Sequence, residues 1–324
     1  MLFRVLSPGG SSARLSIFIF HRVLPVPDPL LPDDPDVVWF ERIVRFVTSA
    51  FTVLPLSEAV QGLRLGRLPR GAACITFDDG YADNHACAAP ILERHGARAT
   101  FFISTAFIDG GRMWNDTVIE AVRAAPAGLL DWPDLGLEPV ELGDAPSRVA
   151  AYRRMLEALK YRSAQEREDL VREIAQRAGL PARCPLMMTR QQVCDLRARG
   201  MELGAHTLTH PILSRLDTTA ARHEIAGSRE ILGSWLGDPP KLFAYPNGRP
   251  GRDFSSRDVE LVRECGFLAA VTTAAGCARV GDDLMQLPRF TPWDRDMWRF
   301  ALRCGLNLSV RPEPLLAEGA RAPA

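Results

Sequence analysis

Short apolar runs alternate with amphipathic stretches from residue 15 to residue 305. Residues 15–20, 51–54, 72–77, 99–103, 201–205, 241–245, 268–272 and 285–290 read as strands, most of them buried. Between them, helical periodicity and capping residues predict helices over 36–48, 57–65, 81–95, 189–199, 217–236, 255–265 and 294–304. Ser57 reads as a helix cap, Thr189 with Gln192 and Ser255 with Asp258 as capping boxes, and Gly96 and Gly200 as stops. Strand, helix, strand is the repeat of a parallel sheet, so the class is α/β. At this length one barrel of parallel strands accommodates the elements as well as two small domains do.

Two stretches break the alternation. Prolines 25, 27, 29, 32 and 35 impose a loop after the first strand. Residues 107–188 far exceed an ordinary strand–helix connection and should carry structure of their own. Tyr152, Met155, Leu156 and Leu159 fall at helical spacing, and Leu170, Val171 and Ile174 make a second stripe, so this insertion is expected to be a helical subdomain near the barrel mouth. Residues 1–14 are expected as a flexible lead-in, 15–305 as the folded domain and 306–324 as a disordered tail.

The run 72–77 ends in Asp78-Asp79-Gly80. Successive strand residues point to opposite sides, so the two carboxylates cannot be the facing pair of a glycosidase and should do different jobs. Adjacent acids at a strand tip repel unless a cation or a shared proton compensates them, which directs attention to metal ligands. His206-Thr207-Leu208-Thr209-His210 offers two imidazoles four residues apart after another strand, spaced for one side of a helical turn. One carboxylate with two imidazoles would leave a position for water on a zinc-like ion. Acidic pairs also cap helices and paired histidines occur on solvated turns, so the spacing alone decides little.

Thr76-Phe77-Asp78-Asp79-Gly80-Tyr81, His206-Thr207-Leu208-Thr209-His210 and Phe243-Ala244-Tyr245-Pro246-Asn247-Gly248 together resemble the first three motifs of the polysaccharide deacetylase family, also called the NodB-homology or carbohydrate esterase family 4 group. The similarity covers most of residues 15–305, interrupted by the insertion between the first and second motifs. The resemblance implies a distorted or incomplete (β/α) barrel with a helical insertion. It also implies metal-dependent hydrolysis of the N-acetyl group of an amino sugar in a polysaccharide or glycolipid precursor. It assigns Asp79, His206 and His210 to a divalent metal, zinc first, with cobalt, nickel or manganese as alternatives, and leaves Asp78 as general base. An oxyanion donor is implied in the Tyr245-Pro246-Asn247-Gly248 turn, at the N–H of Asn247.

The chain departs from the family pattern in two places. Many members carry a late histidine that protonates the departing amine, but the six here are His21, His85, His95, His206, His210 and His223. Phe20-His21-Arg22 resembles a circularly permuted variant, which makes His21 the expected acid; the other helical histidines read as surface or capping residues. Ala244 stands where many relatives place an arginine that pairs with the base, and Arg289 in Leu287-Pro288-Arg289-Phe290 is expected to hold Asp78 ionised instead. Trp114, Asn115 and Asp116 suit a sugar ring, although such a tryptophan is more often a packing anchor. Competing readings are a hydrolase of linear or cyclic non-sugar amides, and an inactive carbohydrate-binding relative.

Composition narrows the partners. Lys plus Arg equals Asp plus Glu at 39 each, so no overall pull toward nucleic acid or anionic membrane is implied and a neutral small substrate fits. The seven cysteines are scattered, with no CxxC pair, and are expected to be mostly reduced and buried. The apolar run 15–20 is too short for a signal core and no segment approaches bilayer length, so the expected location is cytoplasmic, without an integral membrane segment.

Overall fold

The computed structural model describes residues 2–292, 294–313 and 315. A short helix, α1 (Leu2–Leu6), leads into β1 (Arg14–Phe20), α2 (Val37–Ala50), β2 (Thr52–Val53), α3 (Leu56–Arg64) and β3 (Ala72–Phe77). A π turn at Asn84–Ala88 precedes α4 (Ala89–Arg94), and β4 (Ala99–Ile103) follows. The insertion holds α5 (Trp114–Ala124), an antiparallel hairpin of β5 (Gly128–Leu130) and β6 (Val140–Leu142), then α6 (Ala145–Lys160) and α7 (Ala164–Arg177). The remainder is α8 (Arg190–Ala198), β7 (Glu202–Ala205), α9 (Thr218–Leu236), β8 (Leu242–Ala244), α10 (Ser256–Glu264), β9 (Ala269–Val271), β10 (Ala278–Arg279) and α11 (Met297–Asn307).

The strands β1, β3, β4, β7, β8 and β9 pair in that order, all parallel, with β10 antiparallel beside β1 and β2 along the start of β3. Residues 287–290 join the two ends of this curl. Leu287 bridges Val271 at the end of β9, and Phe290 bridges Phe18 of β1, with Phe290 N–H donating to Ile17 O at 2.7 Å. The result is the distorted (β/α) barrel that the sequence implied, completed by a strap where a strand was expected over 285–290.

Alternation along the strands sorts the side chains. Phe18, Phe20, Ile75, Phe77, Phe101 and Ile103 face the outer helices in one large cluster. Leu15, Ile17, Cys74, Phe102, Ala244, Val271 and Leu287 belong to a second, interior cluster, into which α3 packs Leu56, Ala59, Val60 and Leu63. Interior crowding dictates one glycine: a Cβ on Gly204 would meet the Phe102 ring at 2.4 Å. Glu202, at the start of β7, accepts from Ser57 N–H and from Thr100 Oγ1 at 2.8 Å, so α3 lies across the N-terminal ends of the strands. The C-terminal ends are left for chemistry, as in parallel barrels generally.

Several expectations are corrected. The segment read as a flexible lead-in is ordered by packing: Phe3 is buried against Phe46 and Phe51, and Ser7 Oγ donates to Arg14 O at 2.8 Å. Ser57 does not cap its helix, because Pro55 occupies the cap position and the Ser57 hydroxyl is taken by Glu202. The insertion has its own core of Val118, Val122, Leu142, Tyr152, Met155, Leu159 and Ile174, but its hairpin was not foreseen, since three-residue strands leave no periodic signal. α11 runs to Asn307, past the expected start of the tail, and Leu315 bonds both ways with the Gln286 side chain. Residues 314 and 316–324 of that tail lie outside the described residues. All seven cysteines are free, with Cys74, Cys277 and Cys304 buried and the other four half-buried.

Candidate active site

Five chain segments deliver polar groups to the C-terminal rim of the barrel. Asp78 and Asp79 follow β3, His206 follows β7, Asn247 follows β8, His21 follows β1, and Arg289 rides on the closing strap. All but Arg289 line one cavity of about 500 Å³, together with His210, Trp114, Asn115 and Thr273. Its outer wall comes from the insertion and a neighbouring loop: Leu156, Glu157, Lys160 and Tyr161 around the end of α6, with Arg249 and Arg252. The insertion therefore covers the site.

Asp79, His206 and His210 place one ligand atom each within 4.8 Å of one another. Asp79 Oδ1 lies 3.4 Å from Nε2 of both histidines and, although buried, has no hydrogen-bond partner among the described residues. An orphaned buried carboxylate oxygen is costly unless something satisfies it. Separations of 3.4 Å match the edge of a tetrahedron whose bonds are about 2.1 Å long, the usual length for nitrogen and oxygen ligands of zinc. His206 Nδ1 is fixed by Ala244 O at 2.7 Å, which turns Nε2 toward Asp79. Burial would raise the Asp79 carboxyl, but the two imidazoles hold it well below the usual range. Burial lowers His210 to about 4, with His206 adding to the effect. Burial also works against a charged His206, yet Asp78 and Asp79 together raise it above its ordinary value. These residues fit a divalent metal.

Asp78 does a separate job. Arg289 Nη1 and Nη2 donate to its two oxygens at 2.7 Å each, and the guanidinium also donates to Thr272 O at 2.8 Å and Thr76 Oγ1 at 3.3 Å. Burial pushes the Asp78 carboxyl up, but the Arg289 charge outweighs it and keeps the acid below its ordinary range. The pairing expected from sequence is thus present, and it is bidentate.

Backbone strain concentrates here. Among the described residues five that are not glycine have positive φ, and four of them are Asp79, Thr207, His210 and Asn247. Such conformations cost about 1–3 kcal/mol each and persist only where surrounding structure enforces them. The histidine motif is a tight loop, not the helical turn that its spacing suggested. Thr207 and His210 turn back at φ 64° and 54°, and the two rings meet at 4.8 Å between centroids. Glu224 of α9 secures that loop, accepting from Leu208 N–H and Thr209 N–H at 2.9 Å and from Thr209 Oγ1 at 2.6 Å. Nothing in the sequence distinguished Glu224 from any acid on a solvated helix face.

The 245–248 turn is fastened by Thr273, whose Oγ1 donates to Asn247 O at 2.7 Å and whose N–H donates to Gly248 O at 2.9 Å. A Cβ at Gly248 would meet Thr273 N at 2.9 Å on a backbone with φ 72°, which excludes other residues. Tyr245, expected near substrate, is fully buried: its ring stacks on Phe254 and its hydroxyl donates to Met285 O at 3.0 Å, while its N–H is spent on Val271 O. Asn247 lines the cavity, and its N–H has no protein acceptor among the described residues.

His21 lines the cavity, its carbonyl gripped by Asn84 Nδ2 at 2.8 Å, and Arg22 next to it pairs with Asp83 at 2.8 Å. Trp114 lines the cavity as expected, with Arg167 stacked at 5.3 Å. Asp116 does not. It is buried behind Tyr81, whose hydroxyl donates to it at 3.0 Å, and burial pushes its carboxyl up to about 7. His85 and His95 pair instead with Asp195 and Glu41, on partners that do not line the cavity.

The family model described as polysaccharide deacetylase matches residues 66–136 and 143–270. The chain belongs to the polysaccharide deacetylase family. Members of this family are hydrolases acting on non-peptide carbon–nitrogen bonds. The Bacillus subtilis (strain 168) protein YxkH, provisionally named a polysaccharide deacetylase, is 19% identical over 279 residues, covering 86% of this chain and 71% of its own. IcaB from Ammonifex degensii superposes with a TM-score of 0.60 at 18% identity, over 92% of this chain and 98% of that one. The Streptococcus pyogenes deacetylase PplD, solved in complex with acetate, gives 0.57 at 18% identity, over 86% and 92%. At these identities the likeness establishes the deacetylase fold.

Proposed function

We propose that this enzyme removes the acetyl group from the nitrogen of an N-acetylated amino sugar in a polysaccharide or glycolipid precursor. The observation that carries the reading is the orphaned Asp79 Oδ1 poised between two imidazoles, beside a second carboxylate held ionised by Arg289. A divalent cation held by Asp79, His206 and His210, zinc by the nitrogen and oxygen character of the set, would polarise the acetyl carbonyl and acidify water. Asp78 accepts the proton that a water molecule loses as its oxygen bonds to the acetyl carbon. Arg289 keeps that carboxylate deprotonated and fixes its plane. The N–H of Asn247 donates to the developing oxyanion. His21 returns a proton to the nitrogen as the carbon–nitrogen bond breaks, leaving a free amine and acetate. Trp114 offers an apolar face for the sugar ring. That PplD was solved with acetate supports this product. The enzyme is further proposed to act in the cytoplasm, a reading that rests on its seven free cysteines; finding the protein in an exported fraction would remove it.

The deciding measurement combines metal analysis of the purified protein with acetate release from N-acetylhexosamine oligomers and from simple amides. One bound divalent ion, acetate from the sugars alone, loss of rate with a chelator, and at least ~100-fold slower turnover in Asp78→Asn and His21→Ala are expected. Turnover of simple amides in preference would move the protein to the non-sugar amidohydrolases. Sugar binding with no turnover in metal-loaded protein would make it a lectin-like relative. Full activity in Asp78→Asn would remove that residue from the mechanism.

A further inference from the structure

The chain carries 39 basic and 39 acidic residues, yet within the cavity the two signs are not evenly spread. Lys160, Arg249 and Arg252 line the outer wall with Glu157, and Asp253 stands next to Arg252 in the chain. The cations gather around Tyr161: Arg252 lies 4.8 Å from the ring centroid, and Arg215 and the Lys160 ammonium each lie at 5.6 Å. Arg22, Arg199 and Arg289 all have carboxylates at hand. Among the described residues none of Lys160, Arg215, Arg249 and Arg252 has one at ion-pair distance. The deeper acids do not compensate them, because Asp78 is taken by Arg289 and Asp79 faces the two imidazoles.

Among the described residues two buried polar atoms in the same neighbourhood have no hydrogen-bond partner: the Tyr161 hydroxyl, which can donate to a ligand, and Asp253 Oδ1, which can only accept. The other Asp253 oxygen accepts from the Arg249 N–H at 3.1 Å. Burial lowers the basicity of Lys160; Asp253 opposes that, and Arg249 and Arg252 add to the lowering. Cations held together at a half-enclosed wall, with neither Glu157 nor Asp253 at ion-pair distance, repel one another until a ligand supplies the charge they lack. A cavity of about 500 Å³ is large enough for a sugar with a substituent group.

We propose that this wall is an anion subsite, so that the substrate is an N-acetylated sugar bearing a phosphoryl or carboxylate group, which Lys160, Arg249 and Arg252 hold while the acetamide reaches Asp78 and the ligand set. The proposal rests on the deacetylase reading and narrows its substrate. It also replaces the neutral substrate suggested by overall charge, because a balanced total conceals a positive wall.

Calorimetric titration of the full chain with N-acetylglucosamine, N-acetylglucosamine 1-phosphate and an N-acetylhexosaminuronic acid tests it, and the two charged sugars separate phosphoryl from carboxylate sources. At least one charged sugar is expected to bind about tenfold or more tightly than the neutral one at low salt, with the preference shrinking as salt rises. In the Arg249→Ala/Arg252→Ala variant the preference should vanish, and Arg249→Lys/Arg252→Lys should restore part of it. Equal affinity for all three sugars, or a preference that survives the double alanine variant, overturns the subsite. Acetate release from the same sugars keeps the two ideas apart. No acetate from any of them defeats the deacetylase reading, whereas acetate released without regard to charge, at equal KM, defeats the subsite alone.

Discussion

Asp78 and Arg289 are 2% and 1% exposed, so each charge is tolerable in the barrel interior chiefly because the other is there. Removing one partner of such a pair strands a buried charge and costs about 3–5 kcal/mol, while replacing both can be nearly neutral. Arg289→Leu is therefore expected to lose about that much unfolding free energy, and Asp78→Asn/Arg289→Leu to recover most of it; denaturant titration of the cycle reads the coupling. Strictly additive losses would mean the pair is not coupled. Asp116 makes a pH-dependent statement of its own. Burial raises its carboxyl from 3.8 to about 7, with the nearby Asp79 charge adding to the rise and Arg22 opposing it. Between those values the folded chain holds a proton that the unfolded chain has released, so stability falls as pH rises through that window. Asp116→Asn keeps an acceptor for the Tyr81 hydroxyl and removes the penalty. Thermal melts should show little change near about pH 4 and growing stabilisation toward about pH 8, bounded by roughly 4 kcal/mol at 1.36 kcal/mol per unit. A uniform shift at every pH would rule out this account.

At the scale of elements, the loop 206–210 shows what spacing can and cannot reveal. The His-x-x-x-His interval identified both imidazoles, yet the interval is equally that of one helical turn, and only the positive φ of Thr207 and His210 shows how the rings meet. Asp79 and Arg289 were legible because the motif residues and the strap 287–290 fall on recognisable apolar runs. Glu224 was not, since its partners are two backbone N–H groups and a hydroxyl, which leave no mark in the sequence. Truncating it should loosen the ligand loop from outside the coordination set. Glu224→Ala is expected to weaken metal affinity about 10–100-fold in a direct titration. Its circular dichroism should stay that of the native chain. Unchanged affinity would show that the loop holds its shape unaided. The π turn Asn84–Ala88 was read as part of a continuous helix; it brings Asn84 to the His21 carbonyl, which a regular turn would not have announced.

For the molecule as a whole, the succession of strands and helices and the parallel α/β class were legible in alternation and capping, because each local signal agreed with the fold. The hairpin within the insertion, the burial of Tyr245 and the covering of the site by α6 depend on contacts far apart in sequence, which periodicity does not encode. Closure depends on them too. The residues proposed to hold the metal lie on segments completed by residue 210 and are braced by Glu224 and Ala244, whereas the guanidinium that orients Asp78 arrives with the strap at residue 289. A nascent chain still short of that strap could gather a cation but would hold its neighbouring acid without a fixed plane. On the proposed mechanism, competence would thus arrive near the end of translation, and a product ending between residues 245 and 288 would hold the ligand set without the group that orients its base.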